Sequence, residues 1–175
     1  MTPASTDAAG PGRVRVEVAT FAQLSPHTAY ALWQLRESVF VVEQACPYLE
    51  LDGRDTEPGT RHVWLTSGTA EGDAPPLGYL RLLDDGAHAR IGRVLVAPDH
   101  RGRGFADRLV ERALQLAGAR PVRLDAQTYL QRWYARWGFT ATGPEFLEDG
   151  IPHVPMARPA PADRPAPPAQ EAGGA

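Results

Sequence analysis

The feature that most constrains the fold of this chain is residues 91–106, where an apolar strand runs through a glycine-rich loop into a helix. The strand reads IGRVLV, Pro98 ends it, and the loop reads RGRG at residues 101–104. Glycine lets the backbone approach a ligand closely. Free N–H groups of the first helical turn, at the positive end of the helix dipole, form an anion site. Because Arg101 and Arg103 add positive charge, the segment predicts a phosphate or pyrophosphate pocket.

Other phosphate-binding loops match this segment less well. The dinucleotide fingerprint requires G-x-G-x-x-G; Gly102 and Gly104 supply its first two glycines, but Asp107 occupies the place of the third. A Walker-type loop requires Gly-Lys-Ser/Thr, and the chain has no lysine. The remaining alternative is an ordinary glycine-rich turn with solvated arginines.

The hydrophobic pattern of the rest of the chain predicts strands and helices in alternation. Ser25-Pro26 is a cap residue followed by proline, which begins a helix that we expect to end near Gln44. Further helices are expected over about 102–117 and 129–137, with Gly138 at a helix C-terminus. The predicted strands are residues 14–18, 62–66, 77–83, 88–96, 122–126, 139–142 and 153–157. This order predicts an α/β (α+β) fold, a mixed sheet of about seven strands with helices packed on it.

Composition favours one soluble globular domain. The 175 residues are 43% hydrophobic and 22% charged, as in ordinary folded domains. We expect the domain to cover residues 13–158. Residues 1–12 and the Pro/Ala-rich residues 159–175 are predicted to be unstructured tails, because such compositions bury too little apolar surface to offset the entropy of ordering.

Charge, hydropathy and cysteine content argue against several classes of protein. No apolar run approaches the roughly 20 residues of a membrane span, and residues 1–12 lack the features of a secretory signal. The single cysteine, Cys46, excludes a disulfide framework and a CxxC zinc site within the chain, and we expect it to be a small buried hydrophobe. A net charge of −3 gives no general attraction to nucleic acid or anionic lipid. The expected compartment is the cytoplasm.

The loop and its neighbours resemble the GNAT acetyltransferases. The family signature, Arg/Gln-x-x-Gly-x-Gly/Ala after a strand and a proline, is matched by RGRGFA at residues 101–106. The family's helical tyrosine, four residues before a Gly-Phe pair, is matched by Tyr134 before Gly138 and Phe139. The resemblance implies a central sheet with helices on both faces and a splayed central strand pair. It also implies acetyl-CoA as cosubstrate and no metal.

The resemblance carries over to individual residues of the cofactor site. In the family, loop amides hold the CoA pyrophosphate, and backbone groups of the splayed strand pair with the pantetheine amides. Gln127 follows the fifth strand, where it could hydrogen-bond the pantetheine or the acceptor. The implied CoA-binding residues are Val94, Leu95, Val96, Arg101, Gly102, Arg103, Gly104, Phe105, Ala106 and Gln127.

A narrower resemblance, to the ElaA-like branch, extends over nearly the whole predicted domain. It is carried by LRESVFVVEQ at residues 35–44, DGRD at 52–55, IGRV at 91–94 and EDGIPH at 148–153. The Arg-x-x-Val-Phe start is shared with acyl-homoserine lactone synthases, which have the same fold. This resemblance refines the family and identifies no acceptor.

Direct acetyl transfer to an amine requires a general acid for the leaving thiolate and a base for the amine. Tyr134 is the predicted acid, with its hydroxyl facing the CoA sulfur. Three residues are candidate bases: Glu43 at the end of the first helix, His62 at the start of a strand, and His153 after an acidic loop. Histidine suits proton transfer at neutral pH. A chain of water molecules is the alternative base.

The sequence leaves the acceptor and the assembly open. Acidic residues in two loops form either a rim that attracts a cationic amine or solvated loop surface. The leading hypothesis is an acetyl-CoA-dependent N-acetyltransferase that transfers directly to a primary amine, on a small molecule or a peptide. The alternatives are a non-catalytic acyl-CoA-binding module and an acyl-homoserine lactone synthase relative. Dimers are common for this fold, and the expectation of a homodimer rests on that analogy. The acidic residues are Glu50, Asp52, Asp55, Glu57, Glu148 and Asp149.

Overall fold

The computed structural model of the chain describes residues 14–45, 48–67 and 74–161. Cys46, the predicted tail 1–12, most of the tail 159–175 and part of the turn before the third strand lie outside the described residues. The N-terminal part begins with strand β1 (Val14–Ala19) and helix α1 (Pro26–Arg36), which continues as a π-helical segment over Glu37–Glu43. Ser25 caps α1 by accepting from the Thr28 N–H at 3.0 Å, as its sequence predicts.

The remaining elements follow in the predicted order. The strands are β2 (Arg61–Ser67), β3 (Gly78–Asp84), β4 (Ala89–Val96), β5 (Val122–Gln127), β6 (Thr140–Ala141), β7 (Phe146–Glu148) and β8 (Ile151–Arg158). The helices are α2 (Phe105–Ala117) and α3 (Gln131–Ala135).

The strands of the described residues form one eight-stranded sheet in the order β1-β2-β3-β4-β5-β8-β6, with β7 pairing β8. The pairs from β1 to β4 are antiparallel, and β4 and β5 are parallel. β4 and β5 are paired only at Ala89 with Val122 and Arg90 with Arg123, and beyond these residues the strands diverge. The mixed sheet and the splayed central pair are therefore confirmed.

The two faces of the sheet carry separate clusters of apolar side chains. Because side chains alternate along a strand, Leu80 packs with α2 on one face and Tyr79 packs with α1 on the other. Tyr134 of α3 and Phe139 belong to the α2 cluster. Helices therefore cover both faces, as the family resemblance implies.

Three elements differ from the sequence predictions. α2 begins at Phe105 instead of residue 102, because Gly102 (φ 75°) and Gly104 (φ 72°) have left-handed backbones that cannot continue a helix. α3 is shorter than predicted. β7 is an additional strand in the region read as an acidic loop, where Asp149 (φ 50°) and Gly150 (φ 79°) form the turn of a tight hairpin.

Candidate active site

The gap between the diverging ends of β4 and β5 is a cavity of about 650 Å³. Backbone and side chains of β4 line one wall, and residues 124–127 of β5 line the other. The end of the π-helical segment, the cleft side of α3 and the β7–β8 hairpin complete the lining. The splay of the sheet thus places an open cleft beside the glycine-rich loop.

The backbone of β4 faces this cleft at alternate residues. The Ala97 N–H donates to the Leu77 carbonyl at 3.0 Å, on the β3 side. Because successive peptide groups of a strand point to opposite edges, the polar groups of Val94 and Val96 point toward the cleft. The Val96 carbonyl accepts from Arg101 Nε at 3.2 Å. These are the strand positions that the family resemblance assigns to pantetheine.

The loop after β4 presents its backbone to open space. A Cβ placed on Gly102 or Gly104 would meet nothing within 4 Å. Gly104 stands at the N-cap of α2, where it offers no side chain to the first N–H groups of the helix. Arg103 Nη2 donates to the Asp99 carbonyl at 3.1 Å. The open backbone of the loop and the N-terminus of α2 therefore lie side by side at the position where the sequence predicts an anion site.

Tyr134 lies on α3 with its ring buried and lines the cleft. Its ring packs edge-on against Trp133 (4.7 Å between centroids) and Phe139 (5.8 Å). Burial, with a smaller contribution from Tyr129, raises the pKa of the Tyr134 hydroxyl above its usual value. The phenol therefore stays protonated at neutral pH, as a proton donor must.

His153 lines the cleft from β8, directly opposite Gln127 of β5. Its Nδ1 lies 2.8 Å from the Ile151 carbonyl. Since a carbonyl only accepts, Nδ1 is the donor in this contact, and Nε2 is the ring nitrogen that remains for other partners. Nε2 is 3.9 Å from Glu148 Oε2, and the ring stacks on Phe146.

Glu43 also lines the cleft, but two nitrogens of Arg101 hold its carboxylate at 2.8 Å each. The hydrogen bond from Arg101 holds the pKa of Glu43 below its usual range. The neighbouring Gln44 accepts from Gln127 Nε2 at 3.2 Å. Glu43 and Gln44 therefore contact residues on two sides of the cleft, Arg101 after β4 and Gln127 in β5.

His62 is buried and is not among the described residues that line the cleft. Its Nε2 lies 3.1 Å from the Asp55 carbonyl, and its Nδ1 lies 2.8 Å from the Tyr79 hydroxyl. Burial lowers the pKa of His62. Both ring nitrogens are thus engaged in hydrogen bonds inside the domain.

Arginines pair with the acidic residues of the first loop. Arg36 donates to Glu50 at 2.6 Å and to Asp55 at 2.7 Å, and all three side chains are buried. Arg81 donates to Asp52 at 2.7 Å. Burial disfavours the charge of Asp55, but the hydrogen bond and charge of Arg36 outweigh it and hold the pKa low.

The first loop is therefore no acidic rim. Its fourth carboxylate, Glu57, pairs with Arg54 at 2.9 Å. In the second loop, Glu148 and Asp149 both line the cleft. The rim interpretation is corrected for the first loop because its charges are neutralised within the fold.

Sequence reasoning missed Arg93, which lies inside β4 and lines the cleft. Its backbone is left-handed (φ 54°), and the β3–β4 register shifts there, which marks a β-bulge. Arg93 Nε lies 2.7 Å from Glu50, and its guanidinium lies 5.2 Å from the ring centre of Tyr48. The glycine before it, Gly92, was the available signal, because glycine inside a strand often accompanies a bulge.

In the parts of the chain that the structure describes, no helix is long and apolar enough to cross a membrane. Within the same residues, no group of three or more His, Cys, Asp or Glu side chains is placed to hold a metal ion.

The fold is that of the acyl-CoA N-acyltransferases. An acyl-CoA N-acyltransferase from Pseudomonas aeruginosa superposes with a TM-score of 0.76 at 42% identity, over 83% of this chain and 99% of that one. Escherichia coli ElaA superposes with a TM-score of 0.75 at 35% identity and the same coverage.

The sequence comparisons identify the family. Residues 57–159 match the family model described as an acetyltransferase (GNAT) domain. A UPF0039 protein of Mycobacterium tuberculosis is 50% identical over 140 residues, which cover 78% of this chain and 87% of the relative. ElaA of Escherichia coli is 39% identical over 145 residues, covering 78% and 90%. The chain belongs to the ElaA-like branch of the GNAT acetyltransferases and is an enzyme of the N-acetyltransferase kind.

Proposed function

We propose that this protein transfers an acetyl group from acetyl-CoA directly to a primary amine, with donor and acceptor bound together. The observation that carries the proposal is the splay of β4 from β5 after two residue pairs. That splay turns backbone groups of Val94 and Val96 toward a cleft that ends at the loop of residues 101–106. An extended donor with amide groups along its arm and a diphosphate at its end matches this arrangement.

In the proposed reaction the amine nitrogen attacks the acetyl carbonyl carbon, the new C–N bond forms and the C–S bond breaks. The Tyr134 hydroxyl gives its proton to the departing sulfur. Its position supports this role, because Tyr134 lines the cleft and its phenol carries a proton at neutral pH. Its place on α3, between Trp133 and Phe139, fixes the ring.

We assign the base to His153 Nε2, which accepts the proton that the amine loses. The support is geometric: the Ile151 carbonyl holds the Nδ1 proton, so the Nε2 lone pair remains available beside the cleft. Glu43 is less suited, since Arg101 occupies its carboxylate and lowers its pKa. His62 does not enter this mechanism, because both its nitrogens are engaged away from the cleft.

An acceptor screen with acetyl-CoA tests the function directly. Release of free thiol is measured with polyamines, amino acids, aminoglycosides and peptide N-termini, and mass spectrometry of the product must show one added acetyl group. Thiol release without an acetylated amine would contradict the proposed transfer.

Tyr134→Phe separates an enzyme from a non-catalytic acyl-CoA-binding module. The enzyme should lose about 10²-fold or more in kcat and keep its affinity for CoA in calorimetry. Tyr30→Phe is the matched control, since Tyr30 is exposed on α1 and should change neither quantity. Equal turnover by Tyr134→Phe and the wild type would remove Tyr134 from the mechanism.

A further inference from the structure

One ion pair joins two residues that line the cleft, and it has no part in the reaction as proposed. Arg101, the first residue of the RGRG loop, donates through Nη1 and Nη2 to the two carboxylate oxygens of Glu43, each at 2.8 Å. Its Nε donates to the Val96 carbonyl at 3.2 Å. One guanidinium thus joins the π-helical segment, the loop and the cleft edge of β4.

The Arg101 side chain lies where bound acetyl-CoA would need to make its own contacts. If acetyl-CoA lies along β4 as proposed above, its pantetheine amides need the cleft-facing groups of Val94 and Val96, and Arg101 occupies one of them. A diphosphate also attracts a guanidinium more strongly than one carboxylate does, because it carries more negative charge and more acceptor oxygens. Bound donor therefore competes for both ends of the Arg101 side chain.

We propose that the Arg101–Glu43 pair is a latch that closes the cofactor groove in the ligand-free enzyme. Entry of the donor moves Arg101 from the Val96 carbonyl and from Glu43 onto the diphosphate. Glu43 is then a positioning residue for Arg101. The inference rests on the proposed CoA groove, and it assigns to this pair a role that acetyl transfer itself does not require.

The latch is weak enough to open. The side chains of Arg101 and Glu43 are 46% and 40% exposed, and exposed pairs of this kind change an equilibrium by about 2- to 5-fold. Gln44, beside Glu43, contacts Gln127 on the opposite wall, so these two neighbouring residues contact both sides of the cleft. An exposed pair also means that substitution leaves the core untouched.

Arg101→Ala, tested with two probes, separates the latch from an ordinary phosphate contact. The probes are CoA and acetyl-pantetheine, which lacks the diphosphate, and binding is measured by calorimetry. The variant frees the Val96 carbonyl, so it should bind acetyl-pantetheine about 2- to 5-fold more tightly and CoA more weakly. Arg103→Ala is the matched control, because Arg103 contacts Asp99 and not β4; it should weaken CoA and leave acetyl-pantetheine unchanged.

Glu43→Gln tests the other end of the latch. It removes the charge that competes with the diphosphate, so the affinity for CoA should rise by about 2- to 5-fold, with an effect that shrinks in high salt. Glu37→Gln, at an exposed carboxylate of the same segment, should have no effect. A base at Glu43 would instead give a large fall in kcat with unchanged CoA affinity, and that result overturns the latch.

The two proposals fail in different ways. If wild-type protein binds no CoA, the proposed function is wrong. If wild-type protein binds CoA but Arg101→Ala leaves acetyl-pantetheine affinity unchanged or lower, the groove stands and the latch is refuted.

Discussion

Arg93 offers the sharpest test of how the fold prepares the cleft. Its backbone is left-handed at φ 54°, a conformation that costs a residue with a Cβ roughly 1–2 kcal/mol. The side chain offsets that cost, because its Nε lies 2.7 Å from the buried carboxylate of Glu50 and its Nη2 lies 3.6 Å from Asp52. The ion pairs of Arg93 with Glu50 and Asp52 therefore hold the β4 bulge in place.

The two substitutions Arg93→Ala and Arg93→Gly separate the side chain from the backbone. Both substitutions remove the contact of Arg93 with Glu50, and we expect each to lose about 2–3 kcal/mol of unfolding free energy. The loss is not larger because the Glu50 carboxylate keeps Arg36 as a partner at 2.6 Å. Glycine avoids the left-handed cost of roughly 1–2 kcal/mol but loses about 0.5–1 kcal/mol of chain entropy. The glycine variant should therefore be the more stable of the two, by about 0.5–1 kcal/mol.

The assay is urea unfolding of both variants, together with calorimetric CoA binding. If the bulge aims Val94 at the cofactor, Arg93→Gly should also keep more CoA affinity than Arg93→Ala. Arg90→Ala is the control on the same strand; its partners Asp85 and Asp125 lie nearer the surface, and it should cost about 1 kcal/mol or less. Equal stability of the alanine and glycine variants would refute the strain argument, and a near-wild-type alanine variant would refute the role of the ion pairs.

Three further predictions follow from the site and its supporting charges. Gly104→Glu should abolish CoA binding in calorimetry, because it places a side chain and a negative charge in the loop assigned to the diphosphate. The protein should stay folded by circular dichroism, since nothing lies within 4 Å of the new Cβ and the left-handed backbone costs only roughly 1–2 kcal/mol. Retained CoA affinity would contradict the loop assignment. The free energy of unfolding, measured in urea, should fall as the pH drops below about 4. The reason is that the pKa values of Asp52 and Asp55 are held low in the folded state, so the unfolded state takes up protons first. The variant Asp55→Asn should flatten this pH profile and lose about 3–5 kcal/mol of unfolding free energy at neutral pH. Above about pH 10 the free energy of unfolding should fall again. Burial raises the pKa values of Tyr79 and Tyr134, so at that pH these tyrosines ionise only in the unfolded state. An unfolding midpoint that does not change between about pH 9 and 11 would contradict this prediction.

Local signals in the sequence were enough to predict much of the fold. Ser25 with Pro26 marks the start of α1, and Gly138 (φ 82°) follows α3. Such signals work because they depend on dihedral preferences and on caps within a few residues. The additional strand β7 had a local signal too, Asp149-Gly150, which favours a two-residue hairpin, although its three exposed residues carry no apolar alternation.

By itself the sequence determined the order of the helices and of the strands other than β7, the glycine-rich loop that opens α2, and the family. Only the tertiary structure decided which charges meet. Arg36 finds Glu50 across 14 residues, and Arg101 finds Glu43 across 58. No local pattern encodes such pairs, because they form only when the sheet and the π-helical segment bring distant backbone together. The same holds for two histidines near strand ends. The fold buries His62 inside the domain and places His153 beside the cleft.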